Sequence, residues 1–249
     1  MEIKDLSVEL DIAKKAAIES GKLLLHNKIE LNKSLKVIQK DTKLLADVES
    51  ENLIKEIIVT KSQYPILAEE TGKSADELVH TSWVIDPLDG TANYNRGIPI
   101  CCVSIGLVKN MKPVLGVIYD FNNDEIYTGD KFSNISSMND EPIKVSNKEK
   151  KDNSILVTGL PHHTDYSNKS LDKMIKDMQT WKKVRMIGSA AIASCYIATG
   201  KAEMYKENGI YLWDIIAGAA IVESAGGTAE ILNLKDNFQV DVVFTNSKI

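Results

Sequence analysis

Apolar and polar positions along the chain follow two periods, one helical and one of strand type. Leu6, Leu10, Ala13, Ala17, Leu24 and Leu25 keep helical spacing, with Lys14, Lys15 and Glu19 outside the stripe, and predict an amphipathic helix over 5–27. Leu35-Lys36-Val37-Ile38 predicts a strand. A second helix is expected near Asp47, which suits an N-cap, because Val48, Leu53, Ile54 and Ile57 follow at helical intervals. Short apolar runs at 64–68 and 83–85 read as strands, and the second is expected to lose its ladder at Pro87, which has no N–H. Residues 98–108 and 112–119 predict a hairpin connected through Asn110, and 125–128 a further short strand. Residues 73–80 and 132–142 are polar and read as loops. Beyond them, 154–158 predicts a strand, 165–179 a helix and 184–187 a strand. Gly188-Ser189-Ala190-Ala191 opens a helix to Ala198. A strand over 202–205 is expected to end in a polar turn, Lys206-Glu207-Asn208-Gly209. Trp213-Asp214 begins the last long helix, Gly226-Gly227 stops it, and 228–231 and 240–245 read as strands.

Composition narrows the class without naming the chemistry. The chain has 249 residues, a formal net charge of -5, 43% hydrophobic and 26% charged residues, as in ordinary soluble globular proteins. That length allows one large domain or two small ones, and the charged stretch 147–153 is the candidate subdomain junction. The mild acidity gives no reason to expect nucleic-acid or membrane binding. The apolar run over 98–108 is shorter than the ~20 residues a membrane helix needs. The start, Met1-Glu2-Ile3-Lys4-Asp5, lacks a signal-peptide pattern. Cys101, Cys102 and Cys195 form no disulfide framework and no zinc spacing, so a reducing cytoplasm is expected. The adjacent Cys101 and Cys102 read as core. His26, His80, His162 and His163 share no ligand spacing, the last two read as exposed loop, and no nucleophilic triad assembles from local sequence.

Chemistry concentrates in Asp86-Pro87-Leu88-Asp89-Gly90-Thr91, directly after a buried strand. Two carboxylates there repel each other and lose hydration, which is costly unless a cation lies between them. Oxygen donors suit Mg²⁺, Mn²⁺ or Ca²⁺ rather than zinc. Gly90 and Thr91 add N–H groups and a hydroxyl on which an anion can rest. Metal carboxylates beside an anion cradle point to phosphate-ester chemistry, although the same residue types also build an ordinary surface turn. The strand-then-acid pattern repeats at Ile66-Leu67-Ala68-Glu69, where Glu69 and Glu70 otherwise read as a solvated turn. Asp47 and Asp214 are explained locally by helix capping and the helix dipole. The small residues at 188–191 permit either close ligand approach or tight helix packing.

Three separated blocks resemble the signature of the inositol monophosphatase family. They are Leu67-Ala68-Glu69-Glu70, Trp83-Val84-Ile85-Asp86-Pro87-Leu88-Asp89-Gly90-Thr91 and Trp213-Asp214-Ile215-Ile216-Ala217-Gly218, in the family's order. Lys36, Asp41 with Asp47, Gly188-Ser189-Ala190-Ala191 and Ala225-Gly226-Gly227 are similar as well, so the resemblance runs through nearly the whole chain. It departs at Ala68, where relatives commonly carry glycine. The resemblance implies an α/β (α+β) fold, a layered α/β/α/β/α sandwich forming a single domain over 1–249. It implies a first Mg²⁺ held by Glu69, Asp86 and the Leu88 carbonyl, a second held by Asp86, Asp89 and Asp214, and a weaker third at Glu69, with Mn²⁺ as the alternative metal. Asp47 and Thr91, with Glu69, would orient the attacking water. The Gly90 and Thr91 N–H groups would receive the phosphate, and Ala190, Glu207 and Asp214 would face the substrate's polyol. The implied reaction is hydrolysis of a small phosphate monoester, inositol monophosphate first, by metal-activated water. Sugar phosphates, fructose 1,6-bisphosphate and histidinol phosphate are alternatives. Ala92-Asn93-Tyr94 argues against the bisphosphate nucleotidase branch, which carries Lys-Glu-Phe there. Lithium sensitivity, a cytoplasmic location and a homodimer follow from the same resemblance. A regulatory binding protein associated with transcription machinery is the non-catalytic alternative.

Overall fold

The structure is a computed structural model that describes residues 5–38, 41–73, 80–160 and 165–249, with the backbone alone at 36–38 and 41–42. Helices α1 (Ser7–His26) and α2 (Lys28–Leu31) precede a hairpin of β1 (Ser34–Ile38) and β2 (Asp41–Leu44), then α3 (Leu45–Val59). The middle of the chain supplies β3 (Ile66–Ala68), β4 (Gly72–Lys73), β5 (Thr81–Asp89), α4 (Thr91–Arg96), β6 (Cys102–Lys109), β7 (Lys112–Asp120), β8 (Glu125–Asp130), β9 (Ile135–Met138) and β10 (Glu141–Pro142). The last part runs β11 (Ile155–Thr158), α5 (Asn168–Met178), β12 (Lys183–Met186), α6 (Ala190–Ala198), β13 (Met204–Tyr211), α7 (Leu212–Ser224), β14 (Thr228–Leu232) and β15 (Gln239–Thr245).

These elements stack as five layers. An eight-stranded sheet runs β10-β9-β8-β7-β6-β5-β3-β4 and a five-stranded sheet runs β12-β11-β13-β15-β14. Both are antiparallel except where β3 meets β5 and where β11 meets β12 and β13. Helices α1 and α3 cover the outer face of the large sheet, and α1 buries Ile12, Ala13, Ala16, Ala17 and Leu24 there. Helices α6 and α7 fill the layer between the sheets, and α5 lies over the outer face of the small one. An amphipathic stripe suffices for α1, whereas α7 meets protein on both sides and is apolar nearly all round.

Helix α7 sits unusually close to the large sheet because three glycines stand abreast beneath it. Gly106 of β6 pairs with Gly116 of β7, which pairs with Gly129 of β8. A methyl group on Gly106 would lie 3.0 Å from the Ala217 nitrogen, one on Gly116 2.8 Å from Ala217 Cα, and one on Gly129 2.7 Å from the Ile221 nitrogen. The row therefore sets how deeply α7 seats, and with it the position of Asp214 at the helix start.

The expected order of helices and strands is present, with physical reasons for the differences. Strand β5 does not end at Pro87. Its pairing with β6 lapses after Asp86 and resumes at Asp89 opposite Cys102. Across the gap the Ser50 hydroxyl donates to the Pro87 carbonyl (2.7 Å), the Leu88 N–H donates to Asp86 (3.0 Å), and the Thr91 hydroxyl lies 3.0 Å from the Leu88 carbonyl. The Pro87 carbonyl and the Leu88 N–H thus find local partners, while the Leu88 carbonyl competes with Asp47 for the Thr91 proton. Residues 206–209 are strand rather than turn, because β13 continues against β15 through a bulge at Asn208–Ile210, with Gly209 at φ 76°. Residues 132–142 contain β9 and β10, and the strand expected from 98 begins only at Cys102. Asp47 is the third residue of α3, not its N-cap, and Leu44 occupies the cap. The hairpin through Asn110 is present, with Asn110 and Met111 both at positive φ. Cys101, Cys102 and Cys195 are buried free thiols. His162, His163 and residues 74–79 lie outside the described residues, as do the side chains of Lys36 and Asp41. The stretch 147–153 crosses from the large sheet to the small one and ends in a 3-10 turn, Lys151–Asn153. Among the described residues no helix is long and apolar enough to cross a membrane.

The glycine row is testable by overpacking. Gly116→Ala should lower the free energy of unfolding by about 1–3 kcal/mol in urea titrations, since backbone rather than a flexible side chain must yield. Unchanged stability would contradict this seating of α7.

Candidate active site

The starts of α4, α6 and α7 and the end of β5 meet at one cleft of about 330 Å³, with the start of α3 buried against Thr91. Asp47, in the first turn of α3, accepts the Leu44 N–H (2.6 Å) and the Thr91 hydroxyl (3.1 Å). Thr91 opens α4, and its single proton serves Asp47 or the Leu88 carbonyl, one at a time. Gly90 makes the strand-to-helix turn at φ 88°, and a methyl there would lie 2.8 Å from the Ile100 carbonyl oxygen. Gly90, Thr91 and Ala92 line the cleft, and a first helical turn leaves N–H groups without intrahelical acceptors. Asp89 ends β5 against the start of α6, where it accepts N–H groups from Ala190 (3.3 Å) and Ala191 (2.8 Å) and the Ser189 hydroxyl. Asp214, in the first turn of α7, accepts the Tyr211 N–H (2.8 Å). Asp86 is buried on β5, where it accepts the Leu88 N–H (3.0 Å), and Glu69 follows β3.

These acids raise one another's affinity for protons. Burial pushes the Asp47 carboxyl up to about 7 against the pull of the Leu44 N–H, and Glu70 adds to the rise. Glu69 is held well above the usual range by burial, then by Asp214, Asp47 and Glu70. For Asp86 burial leads, followed by Glu69, Asp89 and Asp214. Burial also raises Asp89, which Ser189 and the α6 N–H groups hold back, and raises Asp214, to which Asp89 adds. Among the described residues no three His, Cys, Asp or Glu side chains are gathered tightly enough to hold an ion as they stand. The acids converge without closing a coordination shell, because Asp89 and Asp214 bond to backbone N–H groups. Their mutual repulsion makes a cation favourable among them. The donors are all oxygens, which fits a hard divalent cation.

Of the residues expected at the site, Glu69, Asp89, Gly90, Thr91, Ala190, Glu207 and Asp214 line the cleft. Asp47, Asp86 and Leu88 are buried beneath it. Glu207 is on β13, where burial pushes it up to about 7 despite the Tyr205 hydroxyl donating to it (2.9 Å). A larger cavity, about 750 Å³, lies on the far side of Glu207 and touches none of Glu69, Asp89 or Asp214. Sequence reading missed Glu51. This buried acid accepts the Glu70 N–H (2.8 Å) and the Thr71 hydroxyl (2.6 Å), and so holds the turn that carries Glu69. Its signal was available: it lies four residues after Asp47, on the same helix face. Ser189 was seen only as one of four small residues.

The acid-lined cleft, with its oxygen donors beside helix-start N–H groups, suits a hard cation and a phosphate. The sequence profile of the inositol monophosphatase family matches residues 5–247. A Xylella fastidiosa protein named Nus factor SuhB is 36% identical over 225 residues, 88% of this chain and 80% of its own length. An Aquifex aeolicus protein named fructose-1,6-bisphosphatase/inositol-1-monophosphatase is 31% identical over 99% of this chain and 93% of its own. The solved inositol monophosphatase of Anabaena (Nostoc) superposes with a TM-score of 0.84 at 34% identity, covering 98% of this chain and 92% of that one. The chain belongs to the inositol monophosphatase family and is a phosphatase acting on small phosphate monoesters.

The raised carboxyls fix the sign of a pH effect. Asp47 and Glu207 hold protons up to about 7 when folded but release them near 3.8 and 4.5 otherwise. Their contribution is therefore fully present below those ordinary values and is lost as pH rises to about 7. The Tm of EDTA-treated protein should fall between about pH 5 and about pH 8, and a divalent cation should raise Tm more at the higher pH. A metal-free Tm that climbs through this window would contradict the reading.

Proposed function

We propose that this enzyme hydrolyses a small phosphorylated polyol, with inositol monophosphate first, using two or three Mg²⁺ ions. Glu69, Asp86, Asp89, Asp214 and the Leu88 carbonyl would hold them, and Mn²⁺ suits the same donors. The observation that carries this reading is that Glu69, Asp89 and Asp214 line a cleft beside the Gly90–Thr91 helix start, with Asp86 buried behind them. When bound, the metal lowers the pKa of water and stabilises the leaving oxygen. Thr91, donating to Asp47, presents its lone pairs to a water in the cleft, and Asp47 holds that hydroxyl in place. N–H groups at Gly90 and Thr91 receive phosphate oxygens. Ala190 leaves room for the leaving group, and Glu207 accepts its hydroxyls. Helix α7 contacts both sheets, which supports one functional unit over 1–249. Three free buried thiols suit a reducing cytoplasm. Homodimerisation and lithium sensitivity are proposed from family membership.

Asp89→Asn should cut Mg²⁺-saturated turnover by on the order of 100-fold or more while leaving Tm within a few degrees. Turnover near wild type would remove Asp89 from the ligand set. Phosphate release should be measured from inositol 1-phosphate, fructose 1,6-bisphosphate, histidinol phosphate and 3′-phosphoadenosine 5′-phosphate, each with Mg²⁺, with EDTA and with Li⁺. The expected result is Mg²⁺-dependent, Li⁺-inhibited turnover led by inositol 1-phosphate. Preference for fructose 1,6-bisphosphate would instead follow the Aquifex relative. A second reading, regulatory binding, is favoured by the relative named Nus factor SuhB. Retention of one specific partner by both wild type and Asp89→Asn in a pull-down would support it.

A further inference from the structure

Glu207 stands between two neighbours that fix its carboxylate. On one side the Tyr205 hydroxyl donates to Oε2 (2.9 Å). On the other is Gly159, the residue after β11. Strands β11 and β13 run parallel with Thr158 opposite Lys206, and the Thr158 hydroxyl donates to the Lys206 carbonyl (2.6 Å), which brings position 159 abreast of Glu207. A methyl group on Gly159 would lie 2.6 Å from Glu207 Cδ and closer still to both carboxylate oxygens. Those three atoms are its nearest neighbours, so the encounter is with the end of a flexible side chain and not with backbone. Gly159 is not at positive φ, so its backbone does not call for glycine. What requires glycine here is the space that the Glu207 carboxylate occupies.

We propose that Gly159 is a positioning residue for substrate choice: its missing side chain lets the Glu207 carboxylate stand in the cleft, where it favours hydroxyl-bearing phosphates. This rests on the reading of Glu207 as a hydroxyl contact. A larger residue at 159 drives the carboxylate aside, and the roughly 750 Å³ cavity beyond Glu207 gives it somewhere to go. The fold therefore absorbs the change while the leaving-group contact is lost. The acids that surround the phosphate lie on other elements and stay where they are.

The test is a double-mutant cycle on Gly159→Ala, Glu207→Ala and the pair, read with inositol 1-phosphate and with p-nitrophenyl phosphate, which has no polyol. Gly159→Ala should raise KM for inositol 1-phosphate roughly tenfold, the loss of one hydrogen bond to a charged group, with p-nitrophenyl phosphate kcat/KM within about twofold. The double variant should be no worse than Glu207→Ala alone. Glu207→Asp, which draws the carboxylate back by one methylene without touching Gly159, should reduce the same discrimination. Losses that multiply in the double variant would show the methyl obstructing the cleft by itself and would overturn the proposal. Equal losses on both substrates, or full discrimination in Gly159→Ala, would overturn it too. An unchanged substrate ratio in Glu207→Ala would overturn the hydroxyl-contact reading, and the role in substrate choice with it. The steric claim is judged apart from substrate: a crystal structure of Gly159→Ala with the Glu207 carboxylate unmoved would overturn it.

Discussion

Burying several carboxylates within reach of one another is the constraint around which this structure is arranged. Each acid is tolerable only because something offsets it. Asp47 and Asp214 each accept the N–H of the residue that caps their own helix, and Asp89 accepts two from the start of α6. Asp86 accepts the Leu88 N–H inside the break in its own ladder. Helix starts carry partial positive charge, so placing three of them at one cleft, with that of α3 beneath, lowers the cost of concentrating negative charge there. The compensation is incomplete: burial and the neighbouring acids still hold Glu69 and Asp86 well above the usual carboxylate range. A site that holds protons it would ordinarily have released is one that a divalent cation can enter by displacing them.

The geometry of that cleft depends on packing some distance away. Asp86 and Asp89 are fixed by the large sheet, but Asp214 arrives on α7, a separate element that must be brought to them. Helix α7 reaches the sheet over three glycines that no chemistry requires. Their role is depth: side chains in that row would lift the helix, and Asp214 with it, away from the end of β5. The apolar circumference of α7 then serves both sheets at once, so the middle layer is as much a spacer for the site as a core.

What the sequence disclosed and what it concealed divide along sequence distance. Asp86, Asp89, Gly90 and Thr91 are neighbours in the chain, and their chemistry was legible because a strand delivers them together. Asp47 reads locally as an N-cap and Asp214 as a first-turn acid; both stand third in their helices and accept the N–H of the capping residue, and any second role appears only when two helix starts meet. Glu51 was overlooked because an acid on a helix face is normally solvated, and only the fold brings it beneath the turn carrying Glu69. Lys206-Glu207-Asn208-Gly209 has turn composition yet continues a strand, since pairing with β15 supplies the hydrogen bonds and a bulge absorbs Gly209. Local propensity cannot anticipate a partner strand that comes some thirty residues later. The same limit hides Gly159, whose significance lies in a side chain 48 positions away.

The residues proposed for chemistry and those proposed for selectivity lie on different sheets. Glu69, Asp86, Asp89 and the Gly90–Thr91 turn belong to the large sheet and its strand ends, whereas Gly159, Tyr205 and Glu207 belong to the small one. Asp214 and Ala190, on the helices between, are the hinge of the two sets. Substitution on the small sheet can therefore change which leaving group fits without moving the acids that face the phosphate. Relatives at 31% and 36% identity carry different functional names while matching nearly the whole length of this fold. On the proposed reading, the β11–β13 pair, rather than the Asp-Pro-Leu-Asp-Gly-Thr block, is where substitution would change the preferred leaving group.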